Sequence, residues 1–350
     1  MKILTRILLI SILLLQCMKN TAYASQNLPI QKPIKIGVFL VDLTNPFNSD
    51  LKKNLEELQK ENENKIQFTI FDGKANQSIQ NDDISRQLNS GFDIFVVAPI
   101  SSNENEISNI LNKIFNAKRP LILFYPTTAS LTDMVKNYPA SVIIVGDTEQ
   151  GGLLEGNILA DQWKSHKDIL DKNKDDIIQY IMLKDPSNNI LTLGRSKYPI
   201  VALNDSGIKT KELFSTFCNW QKDCARIAIE SQILTLSDKI EAIISNNDNM
   251  ALGAVEALQK YGFNKGDSSK YIPVVGLGGV PEAKKLIDQG LMTGTVVQDA
   301  KLHAKAIYGV AMNLASGKDP LHGTDYKFDE TGVTIKIPYY KYVKESYNSP

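Results

Sequence analysis

Histidine, cysteine and tryptophan are scarce in this chain of 350 residues, which carries three histidines, three cysteines and two tryptophans. His166, His303 and His322 lie far apart and match no metal-ligand spacing. No Ser/His/Asp, Cys/His or paired-carboxylate arrangement converges on a predicted site, so bond-making chemistry is not expected. An excess charge is missing too. With 39 basic and 39 acidic residues, no net field points toward nucleic acid or an anionic membrane. The one long apolar run, Ile7–Leu15, is too short to span a bilayer as a stable helix.

That run has a different use. Lys2 and Arg6 precede it, and Ala22-Tyr23-Ala24 places small residues at cleavage positions, the layout of an export signal over residues 1–24. Cys17 is loosely like a lipoprotein cysteine, although Gln16 is larger than the residue expected before one. The mature chain is therefore expected in the periplasm or at the outer face of the cytoplasmic membrane. An export signal also stands where a DNA-binding helix-turn-helix would have to be. Cys218 and Cys224 then sit in an oxidising compartment. Their spacing allows either a small disulfide around Trp220 or two buried thiols.

From Ile34 onward short β-rich runs alternate with amphipathic helical stretches. Lys35–Leu40, Ile66–Phe71, Phe92–Ala98, Pro120–Phe124 and Val142–Val145 read as strands, with helices between them. The pattern restarts after Gly146. Such alternation predicts an α/β fold of two doubly wound parallel-sheet lobes, each binding at the carboxyl ends of its strands. Residues just after the strands are Asn45, Phe47, Tyr125, Asn189, Trp220, Asn247, Gly278 and Gln298. Amides supply donors and acceptors, and aromatic faces cover the C–H patches of a sugar ring.

One loop has metal-binding spacing. Asp171, Asn173, Asp175 and Gln179 put side-chain oxygens at alternate positions, and Ile177 offers its carbonyl, as a calcium loop does. Two positions depart from that pattern. Asp176 stands where a glycine is expected, and Met182 replaces the closing bidentate glutamate. A solvated polar turn is the other reading of this stretch.

Taken together, Ile36-Gly-Val through Asn45-Pro-Phe47, the loop with Ile178–Lys184, Leu203–Thr210, Lys239–Asp248 and Gly294–Ala300 resemble the bacterial periplasmic glucose/galactose-binding proteins. These are two-lobed (type I) solute-binding components of sugar ABC transporters. The resemblance covers nearly the whole mature chain. It implies a structural Ca2+ held by Asp171, Asn173, Asp175, the Ile177 carbonyl, Gln179 and a remote glutamate, Glu241. It also implies three crossings between the lobes, near Gly146-Asp147, Val297-Gln298 and Tyr326–Glu330. The first lobe is then 34–146 plus 298–328, and the second 147–297 plus 329–350.

The resemblance weakens at the sugar site. Phe47, Trp220, Arg195 and Asn247 match ligand positions, but the acids expected there are Asn45, Leu191 and Gly278. Asn189, Tyr125 and Gln298 replace a histidine and two asparagines. Charge-assisted hydrogen bonds are worth roughly 1.5–3 kcal/mol each, so losing three costs the original sugar about 4–9 kcal/mol. Arg195 then faces a cleft nearly empty of acids, which favours an anionic sugar unless Asp185 neutralises it. The expected role is a monomeric binding protein. It would present a monosaccharide-like ligand, neutral or acidic, to an ABC permease, or else to a chemoreceptor or histidine kinase as a sensory adaptor.

Overall fold

The computed structural model describes residues 32–186 and 190–344. The expected export signal at 1–24, Cys17 and Asn189 therefore lie outside the described residues. Two six-stranded sheets form the framework. The first contains β1 (Ile34–Leu40), β2 (Ile66–Asp72), β3 (Ile94–Val97), β4 (Leu121–Leu123), β5 (Ser141–Gly146) and β11 (Thr334–Ile337). Its order is β11-β5-β4-β3-β1-β2, parallel throughout. The second contains β6 (Ile177–Lys184), β7 (Lys209–Phe217), β8 (Ala242–Ser245), β9 (Val274–Gly278), β10 (Gly294–Val297) and β12 (Tyr340–Val343). Its order is β12-β10-β9-β8-β6-β7, with only β12 antiparallel to its neighbour.

The apolar runs form strands because both of their faces are covered. Ile36, Val38 and Leu40 pack into one layer with Leu51, Leu55 and Ile307, while Phe39 points into the opposite layer with Ile84 and Leu111. The same two-residue period divides β6, with Ile181 and Leu183 on one face and Tyr180 and Met182 on the other. The chain reverses strand order between β1 and β3, and again between β6 and β8. Such switch points open a crevice beyond the strand ends. Both crevices face the same cleft.

Helices begin where strands end, and polar caps start them. Asn45 caps α1 (Pro46–Glu61), with Pro46 preset for the first turn, and Asn247 caps α8 (Asp248–Lys260). Between them run α2 (Gln77–Gln87), α3 (Glu104–Asn116), α4 (Ala129–Lys136), α5 (Thr148–Leu170), α6 (Ile190–Asp205) and α7 (Lys222–Leu236). Last come α9 (Pro281–Asp288) and α10 (Ala300–Ala315). Helix α5 is kinked at His166, where φ is −135° and ψ 30°. Helix α4 and strand β12 were not anticipated, being short and weakly periodic.

The expected lobe boundary at 329 is corrected. Strand β11 pairs with β5, so residues 329–337 belong to the first lobe, and the chain crosses at Pro338-Tyr339, not at 326–330. The run Val333–Ile337 reads as a strand wherever it is placed, and only the pairing decides which sheet it joins. The other crossings lie at Gly146-Asp147 and at Val297–Asp299, because α5 packs on the second sheet and α10 on the first.

Helices α5 and α6 touch through glycines. A Cβ on Gly156 would lie 2.8 Å from the Ala202 Cβ and closer still to the Pro199 carbonyl. Gly156→Ala is therefore expected to destabilise the protein by roughly 1–3 kcal/mol through overpacking. Urea melts should show a lowered midpoint at unchanged slope; an unchanged midpoint would mean that the two helices separate at no cost.

Candidate ligand-binding cleft

A cleft of about 850 Å³ separates the lobes. Asn45, Phe47, Tyr125, Arg195, Trp220, Asn247 and Gln298 all line it, as do Leu191 and Gly278 at positions where acids were expected. Phe47 is held from behind. Its ring stacks on Phe124 at 6.2 Å between centroids and meets His303 edge-on at 5.2 Å. His303 is fully buried, and its Nδ1 lies 2.8 Å from the Asp299 carbonyl oxygen. Burial lowers its pKa to about 4, so the ring is neutral at physiological pH. Burial also raises the Tyr125 phenol above its ordinary range, keeping it a neutral hydroxyl.

The cleft amides have two duties. The Asn45 Oδ1 accepts from the Phe47 and Asn48 amides, and the Asn247 Oδ1 accepts from the Met250 amide. Capping therefore claims the acceptor end of each side chain. Three of the four acids on the cleft wall among the described residues, all but Asp50, are claimed in the same way. Asp42 accepts from Thr44 and Asp299 caps α10. Asp248 accepts from the Gly279 and Val280 amides and from the Thr295 hydroxyl.

Arg195 does not face the cleft as an unpaired cation. Its Nη1 donates to Asp185 Oδ2 at 3.2 Å and to the Asn246 carbonyl at 3.1 Å, and only 6% of the residue is exposed. The Asn246 side chain returns a bond to the Arg195 carbonyl. Electrostatically the Tyr339 hydroxyl favours the charged form of Arg195, and the Trp220 indole that of Asp185. Desolvation raises the Asp185 carboxyl to about 6, against the pull of Arg195. The compensated guanidinium removes the reason for expecting an anionic ligand.

Two members of this cluster escaped the sequence reading. Tyr339 arrives from the corrected third crossing. Glu155 sits in α5, and its signal was a lone acid inside Gly151-Gly152-Leu153-Leu154-Glu155-Gly156. It is fully buried, and neither carboxyl oxygen makes a hydrogen bond. Desolvation raises its pKa well above the usual range, opposed by Arg195 and reinforced by Asp248 and Asp185.

The polar loop at 171–179 is tightly coiled. Lys174 and Asp176 take φ of 59° and 61°, so Asp176 adopts the left-handed turn that a glycine would supply. Asp171 accepts from the Asp175 and Asp176 amides, and Glu241 accepts from the Lys172 and Gln179 amides. The amide groups of Asn173 and Gln179 donate to Asp175 Oδ2 at 3.0 and 2.7 Å. Among the described residues no three acidic, histidine or cysteine side chains form a ready cage. The donor set still fits a hard cation, since turning two amides end over end replaces N–H groups with oxygens.

A raised carboxyl pKa in the folded state stabilises the fold most below the ordinary glutamate range, and that stability is lost as pH rises through the folded pKa. Glu155→Gln, a neutral isostere, should gain on wild type as pH rises from about 5 to about 8. Thermal melts across that range check this, and a pH-independent difference would mean that Glu155 does not titrate in the folded protein.

Comparison with known proteins agrees with this geometry. Residues 36–319 match the periplasmic binding protein domain. The D-galactose/methyl-galactoside binding periplasmic protein MglB of Haemophilus influenzae is 30% identical over 87% of this chain and 88% of its own. A solute-binding protein from Actinobacillus succinogenes with bound D-allose superposes with a TM-score of 0.73 at 20% identity, covering 90% of this chain and 98% of that one. A Caulobacter myo-inositol binding protein gives 0.68 at 20% identity, covering 89% and 93%. The chain belongs to the periplasmic binding protein family and has its two-lobed type I fold.

Proposed function

We propose that the protein captures a neutral monosaccharide or cyclic polyol between its lobes and delivers it to an ABC permease. One observation carries the choice of ligand: the only guanidinium at the cleft among the described residues is already compensated by Asp185. Asp42, Asp248 and Asp299 are engaged in caps and turns, and amides, hydroxyls and aromatic rings make up most of the remaining wall. Neutral hydroxyls suit that surface, and its floor offers a carboxylate no free guanidinium; Lys284 and Lys301 on the wall are the cations that a uronate could meet. The relatives' names point the same way, toward galactosides, allose and myo-inositol.

Titration calorimetry with galactose, allose and myo-inositol should give binding at least about tenfold tighter than with galacturonate. Tighter binding of the uronate would overturn the neutral reading. Deleting the gene should abolish uptake of the bound solute. Intact uptake with altered taxis or transcription would instead favour a sensory partner.

Structural calcium belongs to the same proposal. Asp171, Asn173, Asp175, the Ile177 carbonyl, Gln179 and Glu241 would hold it, and it would brace the start of β6 against β8, far from the cleft. At a hundredfold excess over its Kd a bound ion adds about 2.7 kcal/mol, or roughly 5–10 °C in the lobe's Tm. Melts in calcium against a chelator test this. Identical curves would remove the metal and leave the sugar reading untouched.

A further inference from the structure

The turn that carries Trp220 is held in an unusual way. Strand β7 ends at Phe217, and Cys218 continues the pairing by donating its amide to the Lys184 carbonyl at 3.0 Å. Asn219 and Trp220 then take φ of 51° and 62°, two successive residues in left-handed backbone that side chains disfavour. The turn closes with the Gln221 amide on the Cys218 carbonyl. Gln221 then starts α7 without a side-chain cap. Neither glycine nor a cap stabilises this segment. What spans it is a disulfide from buried Cys218 to Cys224 in the first turn of α7, with the Cα atoms 5.4 Å apart.

We propose that the Cys218–Cys224 disulfide is a positioning element for the ligand site, holding the Trp220 turn closed so that its indole stays on the cleft wall before any ligand arrives. The role of Trp220 as a sugar-facing wall rests on the reading above, whereas the positioning itself does not. Closing the ring between the last residue of the strand ladder and the helix leaves Asn219-Trp220-Gln221 few alternatives. Cutting the disulfide frees the turn to leave left-handed backbone and withdraw the ring from the cleft. Cys218 is buried and Cys224 half-exposed, so a reagent meets the helix-side sulfur first.

The experiment follows Trp220 directly. Trp163, buried in the core, is the only other tryptophan, so Trp163→Phe leaves Trp220 as the sole indole reporter. Reduction by a dithiol converts the protein disulfide to two thiols, while the dithiol closes to its own cyclic disulfide; thiol titration counts the product. The double variant Cys218→Ala, Cys224→Ala gives the same state without reagent. If Trp163→Phe does not fold, the difference between wild type and Trp220→Phe isolates the same signal. Acrylamide quenching of Trp220 should rise, and its fluorescence anisotropy should fall, without ligand and with unchanged far-ultraviolet circular dichroism. A disulfide that only stabilises the fold would lower the Tm and leave both signals unchanged below the transition, and that result overturns the proposal. With galactose as probe, a turn that is competent in one molecule in ten weakens the apparent Kd about tenfold. No galactose binding in either redox form would count against that sugar alone, because the ligand-free signals still decide the positioning role.

Discussion

Burying a guanidinium at the floor of the cleft requires a counter-charge within hydrogen-bond reach, and the site is arranged around that requirement. Removing one partner of such a pair costs about 3–5 kcal/mol, because the other charge is left without solvent or partner. Asp185, at the end of β6, answers Arg195, and the two draw in their surroundings. Asn246 ties both to the end of β8, and the Trp220 indole and Tyr339 hydroxyl add electrostatic support to the acid and the base. One pair thus connects the aromatic wall of the second lobe to the crossing that carries Tyr339. The charge that seemed available to a ligand is used to hold the receptor together.

A second constraint comes from the strand ends. Every helix that starts at the cleft needs acceptors for its first amides, and short polar side chains meet that need. Asn45, Asn247 and Asp299 therefore cap helices and line the ligand space at once. For the two asparagines, capping turns the oxygen away from solute and leaves the amide N–H groups to face it, whereas Asp299 has only acceptors to offer. Such a surface accepts hydroxyl oxygens readily and has few free carboxylates with which to hold hydroxyl hydrogens. This is a physical basis for selectivity that differs from that of an acid-lined sugar site.

Much of this was legible in the sequence. Continuous apolar runs bounded by polar caps identified β1, β3, β6 and β8, and those strand ends carry Asn45, Phe47, Arg195 and Asn247 to the cleft. Charge pairing was harder to read. The partner of Arg195 lies ten residues upstream, but its other neighbours, Asn246 and Tyr339, come from far along the chain, where distance in sequence carries no local signal. The assignment of β11 failed for the same reason, since an edge strand fits either sheet by pattern and only pairing chooses. Glu155 shows the opposite case. It stands alone among glycines and leucines, and nothing nearby in sequence marks the cluster it enters.

Gly278 shows why the altered site is a rebuilt one and not an acid-lined site with residues missing. Its φ of 142° lies outside the range that a side chain occupies comfortably, and an added Cβ would stand 3.3 Å from Asp248 Oδ2. Asp248 already fills that corner, binding the two amides that follow Gly278 and the Thr295 hydroxyl. A carboxylate at position 278 would need a different backbone and would face a buried like charge. At Gly278 the turn is held from one layer deeper, by the Asp248 carboxylate. Leu191 and Asn45 fit the same description, an apolar wall and a helix cap where ligand-binding acids were expected. For a neutral solute, as proposed, selectivity would then rest on shape between the aromatic rings and on amide geometry, with the Arg195–Asp185 pair held below the floor.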